Sequence, residues 1–330
     1  MSVDPSGRDR SDGTSPVVSV VIPAYNAAPY ITDSLGSVFA QTFSSYEVIV
    51  VNDGSPDTVD LERSLAPYRH SLVYIKQDNR GPGGARNTGI LAAHGEYVAF
   101  LDSDDKWLPE YLTEQLRVLT QDTRLDLIYA DAWLFGDPVF AGRSFMQNSP
   151  SRGTVTFDSL VRGECHVITS CVVARRLALV DAGLFDEQYF HAEDFDLWLR
   201  LAHRGGRITY QRRVLAQHRK SDGTLSTETT RMIDSVTDIL RKTARTLDLS
   251  LDQRELVAKK IAESEAFAQL EDGKRHLIAG HYDEAAQALE RANSYYRSSK
   301  LRLLLLSLRV APRLLGRVYG FLLRRQILKS

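Results

Sequence analysis

The sequence predicts an α/β fold: a mostly parallel sheet flanked by helices, followed by a helical C-terminal region. Two observations carry that expectation. Short runs rich in β-branched residues recur at Val17 to Ile22, Tyr46 to Val51, Leu72 to Ile75, Tyr97 to Leu101 and Leu127 to Tyr129, with helix-like segments between them. From about Thr229 the runs stop, and Ala, Leu, Glu, Arg and Lys dominate, which is helix composition. Alternation of the first kind marks βαβ units, whose central strands are buried on both faces and therefore read as continuous apolar runs such as Val-Val-Ser-Val-Val-Ile-Pro at 17–23. Ligands of open sheets bind beyond the carboxyl ends of the strands. That rule selects Tyr25, Asn26, Asn52, Asp53, Asp102 and Asp104.

With 330 residues, 43% apolar and 25% charged, the chain has enough core for one large domain and a smaller appendage. The net charge of -1 hides an asymmetry, because residues 300–330 hold eight Lys and Arg and no acid, which leaves 33 basic against 42 acidic residues elsewhere. An acidic body argues against nucleic-acid binding, whereas the basic tail fits an anionic surface such as lipid headgroups. Two cysteines, Cys165 and Cys171, lie in an apolar, strand-like stretch and neither staple a fold nor make a four-ligand zinc site; buried thiols in a reduced cytoplasmic setting are expected. The first fifteen residues lack the apolar stretch of a signal peptide and read as a disordered leader. No apolar segment approaches the ~18 residues that a membrane span requires.

Four segments are expected: a leader at 1–15, the α/β domain at 16–228, a helical region at 229–298 and a basic amphipathic helix at 299–330. Within the third, Gly280, Tyr282, Glu284, Ala285, Ala288, Leu289 and Ala292 resemble the second half of a tetratricopeptide repeat. One unit is too few for a solenoid, so a docked helical hairpin is expected. In the fourth, Arg302, Arg309, Arg313, Arg317 and Arg324 follow spacings of 7, 4, 4 and 7, which align on one helical stripe beside a broad apolar face, with a kink at Pro312. Such a helix can lie in a membrane interface or pack against protein.

The chemistry is concentrated in Leu101-Asp102-Ser103-Asp104-Asp105, directly after the strand Glu96 to Phe100. Carboxylates at i and i+2 where a buried strand opens into a loop can hold a hard divalent cation, Mg²⁺ or Mn²⁺, that bridges a diphosphate; acidic loops also cap helices or solvate surfaces. Three further blocks precede the cluster in order: Val18 to Asn26, Val50-Val-Asn-Asp-Gly-Ser55, and Asn79-Arg-Gly-Pro-Gly-Gly-Ala-Arg-Asn87.

Together the four blocks resemble glycosyltransferase family 2, over residues 17–225 or so, and the resemblance implies the GT-A fold. It implies an inverting transfer from a nucleotide sugar, with UDP the expected nucleotide. Pro23, Ala24 and Tyr25, with Asn26, would line the base pocket. Asp53 would accept a hydrogen bond from base or ribose, although Asn-Asp-Gly-Ser is also good turn chemistry. Asp102, Ser103 and one or both of Arg80 and Arg86 would complete the donor site, the two arginines being equally readable as exposed helix-start residues. Gly81, Gly83 and Gly84 lack P-loop spacing and need only a helix start.

In His191-Ala-Glu193-Asp194-Phe-Asp196-Leu-Trp198-Leu-Arg200 the resemblance makes Asp194 the catalytic base and places Glu193 beside the acceptor. One positioned carboxylate suffices for inversion. Trp198 stands as an acceptor-side candidate, with core packing as its plainer reading. In Leu215-Ala-Gln-His218, His218 matches the family's His that reaches back to metal or diphosphate, so Asp104 and His218 are the expected metal ligands. The Gln-x-x-Arg-Trp of processive members is missing and no Trp follows Trp198, so single-sugar transfer is expected.

The expected acceptor is a glycan or lipid-linked hydroxyl, in polysaccharide or cell-envelope biosynthesis. The expected location is cytoplasmic, peripheral on the inner face of the cell membrane, held there through residues 300–330. A nucleotidyltransferase would need a Gly-rich triphosphate loop where Pro23-Ala-Tyr-Asn26 stands, and a dehydrogenase a Gly-x-Gly-x-x-Gly after the first strand. The non-enzymatic alternative is a weakly catalytic nucleotide-binding scaffold that recruits partners through its helical tail. Oligomeric state stays open.

Overall fold

The computed structural model describes residues 15–136, 142–220 and 225–314, the last of these by backbone alone over 225–230. Its contacts divide the chain into two compact units, Met1–Asp222 and Gly223–Ser330. The leader expected at 1–15 falls almost wholly outside the described residues, as do Arg317 and Arg324 of the tail.

The first unit is built on an eight-stranded sheet in the order β3-β2-β1-β4-β7-β6-β8-β5. Its strands are β1 Val18–Ala24, β2 Tyr46–Asp53, β3 Val73–Gln77, β4 Tyr97–Phe100, β5 Lys106–Trp107, β6 Leu127–Phe135, β7 Val172–Arg175 and β8 Ile208–Arg219. The α/β class follows, and the sheet is mixed: β1, β2, β3 and β4 run parallel, as do β6 and β8, while β7 is inserted antiparallel to both β4 and β6 and β5 antiparallel to β8. Pro23 and Ala24 pair in register with Val51 and Asn52, so the ends of β1 and β2 open side by side. Three strands escape the sequence pattern. β5 has two residues, β7 four, and β8 carries Gln211-Arg212-Arg213 in its middle, so none offers a continuous apolar run. Cys171 closes a 3-10 turn, Thr169–Cys171, and does not sit in a strand; both cysteines are free and buried.

Among the described residues eight helices accompany these strands: α1 Ile31–Phe39, α2 Thr58–Leu65, α3 Gly81–Ala92, α4 Tyr111–Gln121, α5 Phe145–Asn148, α6 Phe157–Arg162, α7 Arg176–Asp181 and α8 Glu193–His203. Val20, Ile22, Val48 and Val50 are fully or almost fully buried and join Leu35, Val38, Leu61, Tyr111 and Leu112 in one core, the apolar sides of β1, β2, α1, α2 and α4. Two glycines are required by close approach. A Cβ on Gly89 of α3 would come within 2.3 Å of Val21 Cγ1. Gly54 turns the chain after β2 at φ +64, and its Cβ would meet the Asn79 nitrogen at 2.7 Å.

The second unit comprises α9 Leu225–Thr246, α10 Leu251–Ala279, α11 Tyr282–Tyr296 and α12 Ser299–Val310. Ser250 caps α10 through a reciprocal bond with Gln253, and Gly280 ends it in the left-handed conformation at φ 81. Leu277, Ala285, Leu289, Leu305 and Leu308 form a small core, with Gly273 letting α11 approach so closely that a Cβ there would lie 2.7 Å from Leu289 Cγ. α12 stops at Val310, because Ala311 precedes Pro312 and leaves helical conformation at φ -144, ψ 63. Its outward residues Leu303, Leu306 and Val310 are exposed. No helix among the described residues is long and apolar enough to cross a membrane.

Candidate active site

The site grows from the end of β4. Leu101 still donates its N–H to Val21 O at 3.1 Å, and the chain then leaves the sheet as Asp102, whose N–H is held by Ser170 Oγ at 3.1 Å. Arg86, on the inward side of α3, lies against this turn and is only 4% exposed. Its Nη2 donates to Asp102 Oδ1 at 2.6 Å and its Nη1 to Glu193 Oε1 at 2.5 Å, with the Phe185 ring 5.5 Å from its Cζ. One buried cation therefore joins the acidic loop to the start of α8. Burial alone would raise the Asp102 carboxyl, but Arg86 overrides it and holds Asp102 below the ordinary carboxylate range. Burial pushes Glu193 up to about 7, against the pull of Arg86 and with the push of Asp194.

Asp104 has no such cation. Burial, and then the neighbouring carboxylates Asp105 and Asp102, push it up to about 6. Asp105 is fully engaged: its Oδ2 lies 2.9 Å from His218 Nδ1, its Oδ1 accepts the Arg219 N–H at 2.7 Å, and it is 1% exposed. Because a carboxylate only accepts, the ring donates from Nδ1 and leaves Nε2 as its free face. Burial would lower the His218 pKa, and Asp105 more than offsets that, so His218 is raised. Among the described residues no three His, Cys, Asp or Glu side chains converge as a metal cage. The donor chemistry nevertheless fits a divalent cation completed by substrate oxygens: a crowded carboxylate at Asp104, and an imidazole whose far nitrogen is oriented by a buried acid.

A cleft of about 580 Å³ opens beside these groups. Pro23 and Ala24 line it from the end of β1 with Tyr25 just after, Asp53 from β2, Asn79, Gly81, Pro82 and Arg86 from the loop before α3 and from α3, and Asp102, Ser103, Asp104, Phe190 and Glu193 complete it. Asp53 is 3% exposed, with Oδ1 accepting from Gln77 Nε2 at 2.7 Å and from the Arg80 N–H at 2.9 Å. Asp194, next to Glu193, is held by Thr169 Oγ1 donating to Oδ2 at 2.7 Å, while its Oδ1 accepts the Phe195 N–H at 2.7 Å. Before them, Ala192 sits at φ 58, a left-handed turn that lets the two acids open α8 directly.

Four sequence expectations are corrected. Arg80 does not line the cleft: its guanidinium pairs in a fork with Glu187 at 2.9 and 2.5 Å, half-exposed at the surface. Arg86 does line the cleft, but neither as an exposed helix-start residue nor as a free cation, because both terminal nitrogens are taken by acids. Asn26 lies outside the cleft lining; at φ 51 it turns the chain after β1, its N–H held by Ser55 Oγ at 2.7 Å. Trp198 is 2% exposed and packs edge-on to Phe185 at 6.1 Å, so it is core, as an aromatic on the inward stripe of an amphipathic helix should be. The sequence reading passed over Asp105, Thr169, Ser170, Glu187 and Phe190. Asp105 had a signal, as the third acid of its cluster; the others become meaningful only once β7 and the loop before α8 are folded against β4.

Residues 19–181 match the profile of Glycosyl transferase family 2. An uncharacterized glycosyltransferase of Rickettsia typhi is 30% identical over 216 residues, covering 63% of this chain and 65% of that protein; a second, of Rickettsia felis, is 30% identical over 190 residues, covering 56% and 31%. The chain thus spans 31% to 65% of the length of these relatives. The amylovoran biosynthesis glycosyltransferase AmsB of Erwinia amylovora is 32% identical over 194 residues, 55% of this chain and 62% of its own length. Among solved structures, S. aureus TarS 1-349 in complex with UDP-GlcNAc superposes with a TM-score of 0.61 at 23% identity, covering 94% of this chain and 92% of that one. The mannosyltransferase PcManGT from Pyrobaculum calidifontis, in complex with GDP-Man and Mn2+, superposes at 0.59 with 18% identity, covering 97% and 89%. With the family's profile matched over residues 19–181 and glycosyltransferases among its relatives, the chain belongs to glycosyltransferase family 2.

Proposed function

We propose that this chain is an inverting, non-processive glycosyltransferase that moves a single sugar from a nucleotide-sugar donor, a UDP-sugar, to a hydroxyl of a glycan or lipid-linked acceptor. The observation that carries this reading is the convergence of Asp53, Asp102, Asp104 and Glu193 on one cleft, with Asp194 beside Glu193 at the start of α8. Pro23, Ala24 and Tyr25 form the wall for the base, and Asp53, its Oδ1 fixed by Gln77 and Arg80, offers its other oxygen to base or ribose donors.

Asp104 and His218 would hold Mg²⁺ or Mn²⁺, which when bound neutralises the charge that grows on the departing diphosphate. Asp105 keeps the His218 ring turned for that task. Asp194, oriented by Thr169, takes the proton from the attacking acceptor hydroxyl. The binding of UDP and UDP-GlcNAc by TarS, and of GDP-Man with Mn2+ by PcManGT, supports a nucleotide-diphosphate donor here; AmsB supports a polysaccharide product.

Calorimetry with UDP, GDP and dTDP, with and without Mn²⁺, on the wild type and on Asp104→Ala tests the donor site. Metal-dependent binding of one nucleotide, lost in the variant, is expected. Binding of none of the three would leave the helical-scaffold reading in first place.

The same reading puts the chain at a membrane surface through its last helix. α12 turns Leu303, Leu306 and Val310 outward with Arg302 and Arg309 alongside, an arrangement suited to the interface of an anionic membrane on the inner face of the cell. Flotation with anionic liposomes, with and without residues 300–330, decides it: equal flotation of both forms removes the tail from that role.

A further inference from the structure

The α/β unit carries a second hollow, of about 450 Å³, that has no residue in common with the donor cleft. Most of its polar lining is consumed by structure. Asp131 Oδ1 accepts the N–H groups of Ala132 and Met146 at 2.8 Å each, which ties α5 to β6. Ser144 is the cap of α5, exchanging bonds with Gln147 at 2.9 and 3.3 Å.

Three lining groups are left facing solvent: Trp133, 40% exposed on β6, and the exposed Arg152 and Arg212. Among the described residues neither arginine has a carboxylate within ion-pair distance, whereas Arg213, next in the chain, pairs with Glu114 at 2.7 Å. The placement of Arg212 has a backbone cause. Ala130 pairs with Gln211 but Asp131 with Val214, so Arg212 and Arg213 are extra residues in β8 with no partners in β6. Such a bulge re-aims side chains, and here it sends one arginine to Glu114 and leaves the other at the hollow. Trp133 itself is in register with Gln217, one residue before His218, so β6 brings it to the same end of the sheet as the acidic cluster.

We propose that this hollow is an acceptor subsite for a sugar unit bearing an anionic group, either a carboxylate or a phosphodiester. The inference rests on the glycosyltransferase reading above. The indole offers a flat apolar face to the C–H side of a pyranose ring, and two guanidinium forks match the planar oxygens of a carboxylate or phosphate better than ammonium groups would. A nucleic acid is disfavoured as occupant, since outside residues 300–330 the chain has 33 basic against 42 acidic residues, and two arginines are no stripe.

The test is direct binding, by calorimetry at low and physiological salt, of hexagalacturonate, a phosphodiester-linked mannose hexamer and neutral maltohexaose. Wild type, Trp133→Ala and the double variant Arg152→Ala/Arg212→Ala are compared, with UDP binding and unfolding temperature followed in parallel. One anionic probe is expected to bind at least roughly tenfold more tightly than maltohexaose, and to lose at least that factor in the double variant while UDP binding and unfolding temperature hold. Whichever anionic probe binds tells carboxylate from phosphodiester. Equal binding of the neutral hexamer, retention of affinity in the double variant, or no binding by either anionic probe would each overturn the proposal. Failure of UDP to bind the wild type would instead count against the transferase reading, so the two failures are separable.

Discussion

The two units of this chain treat charge in opposite ways. In the α/β unit, Arg86, Asp105, Glu193 and Asp196 are all buried, and each is held by a named partner. In the helical unit, ion pairs such as Arg241 with Glu265 and Arg309 with Glu290 lie at the surface, and one core is built from Leu277, Ala285, Leu289, Leu305 and Leu308. Burying a charge costs several kcal/mol in lost hydration, and a fold built for stability alone would replace it with apolar packing. Where the cost is borne by Arg86, Asp105 and Glu193, the groups surround the candidate site, whereas buried Asp196 pairs with Arg200 and braces α8. The contrast points to a candidate site without reference to any relative: one cluster of acids around one buried guanidinium, in one unit only among the described residues.

The sharpest way to break this contrast is at Asp194. Asp194→Asn is expected to lower sugar transfer about 10²- to 10⁴-fold, measured by release of nucleotide in the presence of acceptor, with the unfolding temperature nearly unchanged. A small loss of rate would mean that the base lies elsewhere.

Arg86→Met comes next. It leaves Asp102 and Glu193 without their shared cation and is expected to destabilise the α/β unit by about 3–5 kcal/mol in denaturant unfolding, partly recovered when Glu193→Gln is added. An Arg86→Met protein as stable as wild type would show that these charges are solvated after all.

Packing, by contrast, should be equally tight in both regions. Gly89→Ala in α3 and Gly273→Ala in α10 each force a Cβ into a side chain, Val21 or Leu289, and each is expected to cost about 1–3 kcal/mol. A large difference between them would put the distinction in packing and not in charge.

The titration of Glu193 sharpens the comparison further. Its carboxyl is pushed up to about 7 from an ordinary 4.5, so the folded chain keeps that proton longer than the unfolded chain does. Stability therefore falls as pH climbs from about 4.5 to 7, and Glu193→Gln, facing Arg86 and Asp194 with no proton to lose, flattens that slope in denaturant melts at several pH values. The smallest effect belongs to the helical surface: Arg309→Ala is expected to change stability by under about 1 kcal/mol, since the pair with Glu290 is exposed on both sides.

Much of the site was legible in the chain, though unevenly. Asp53, Asp102 and Asp104 follow strand ends, Ser103 and Glu193 come from the family resemblance, and all five line the cleft. The arginines were not legible. Arg80 and Arg86 share one short Gly-rich segment and the same residue type, yet one is half-exposed on Glu187 and the other buried between two acids. Nothing in spacing separates them, because the difference lies in which side of α3 faces α8. Trp198 failed for a related reason: seen alone, an aromatic at helical spacing does not reveal whether its stripe faces a cleft or a core.

Local rules acting within a few residues determined the β-branched strands, the polar turns after them, the acids at the head of α8 and the end of α12 before Pro312. Tertiary structure alone decided the insertion of β7 between β4 and β6, the bulge that displaces Arg212, and the pairing of Asp105 with His218 across 113 positions of sequence. The reason is physical. Dihedral preference and apolar periodicity are properties of a short segment, whereas desolvation and ion pairing depend on what the rest of the chain brings within a few ångströms, and no segment carries that information by itself.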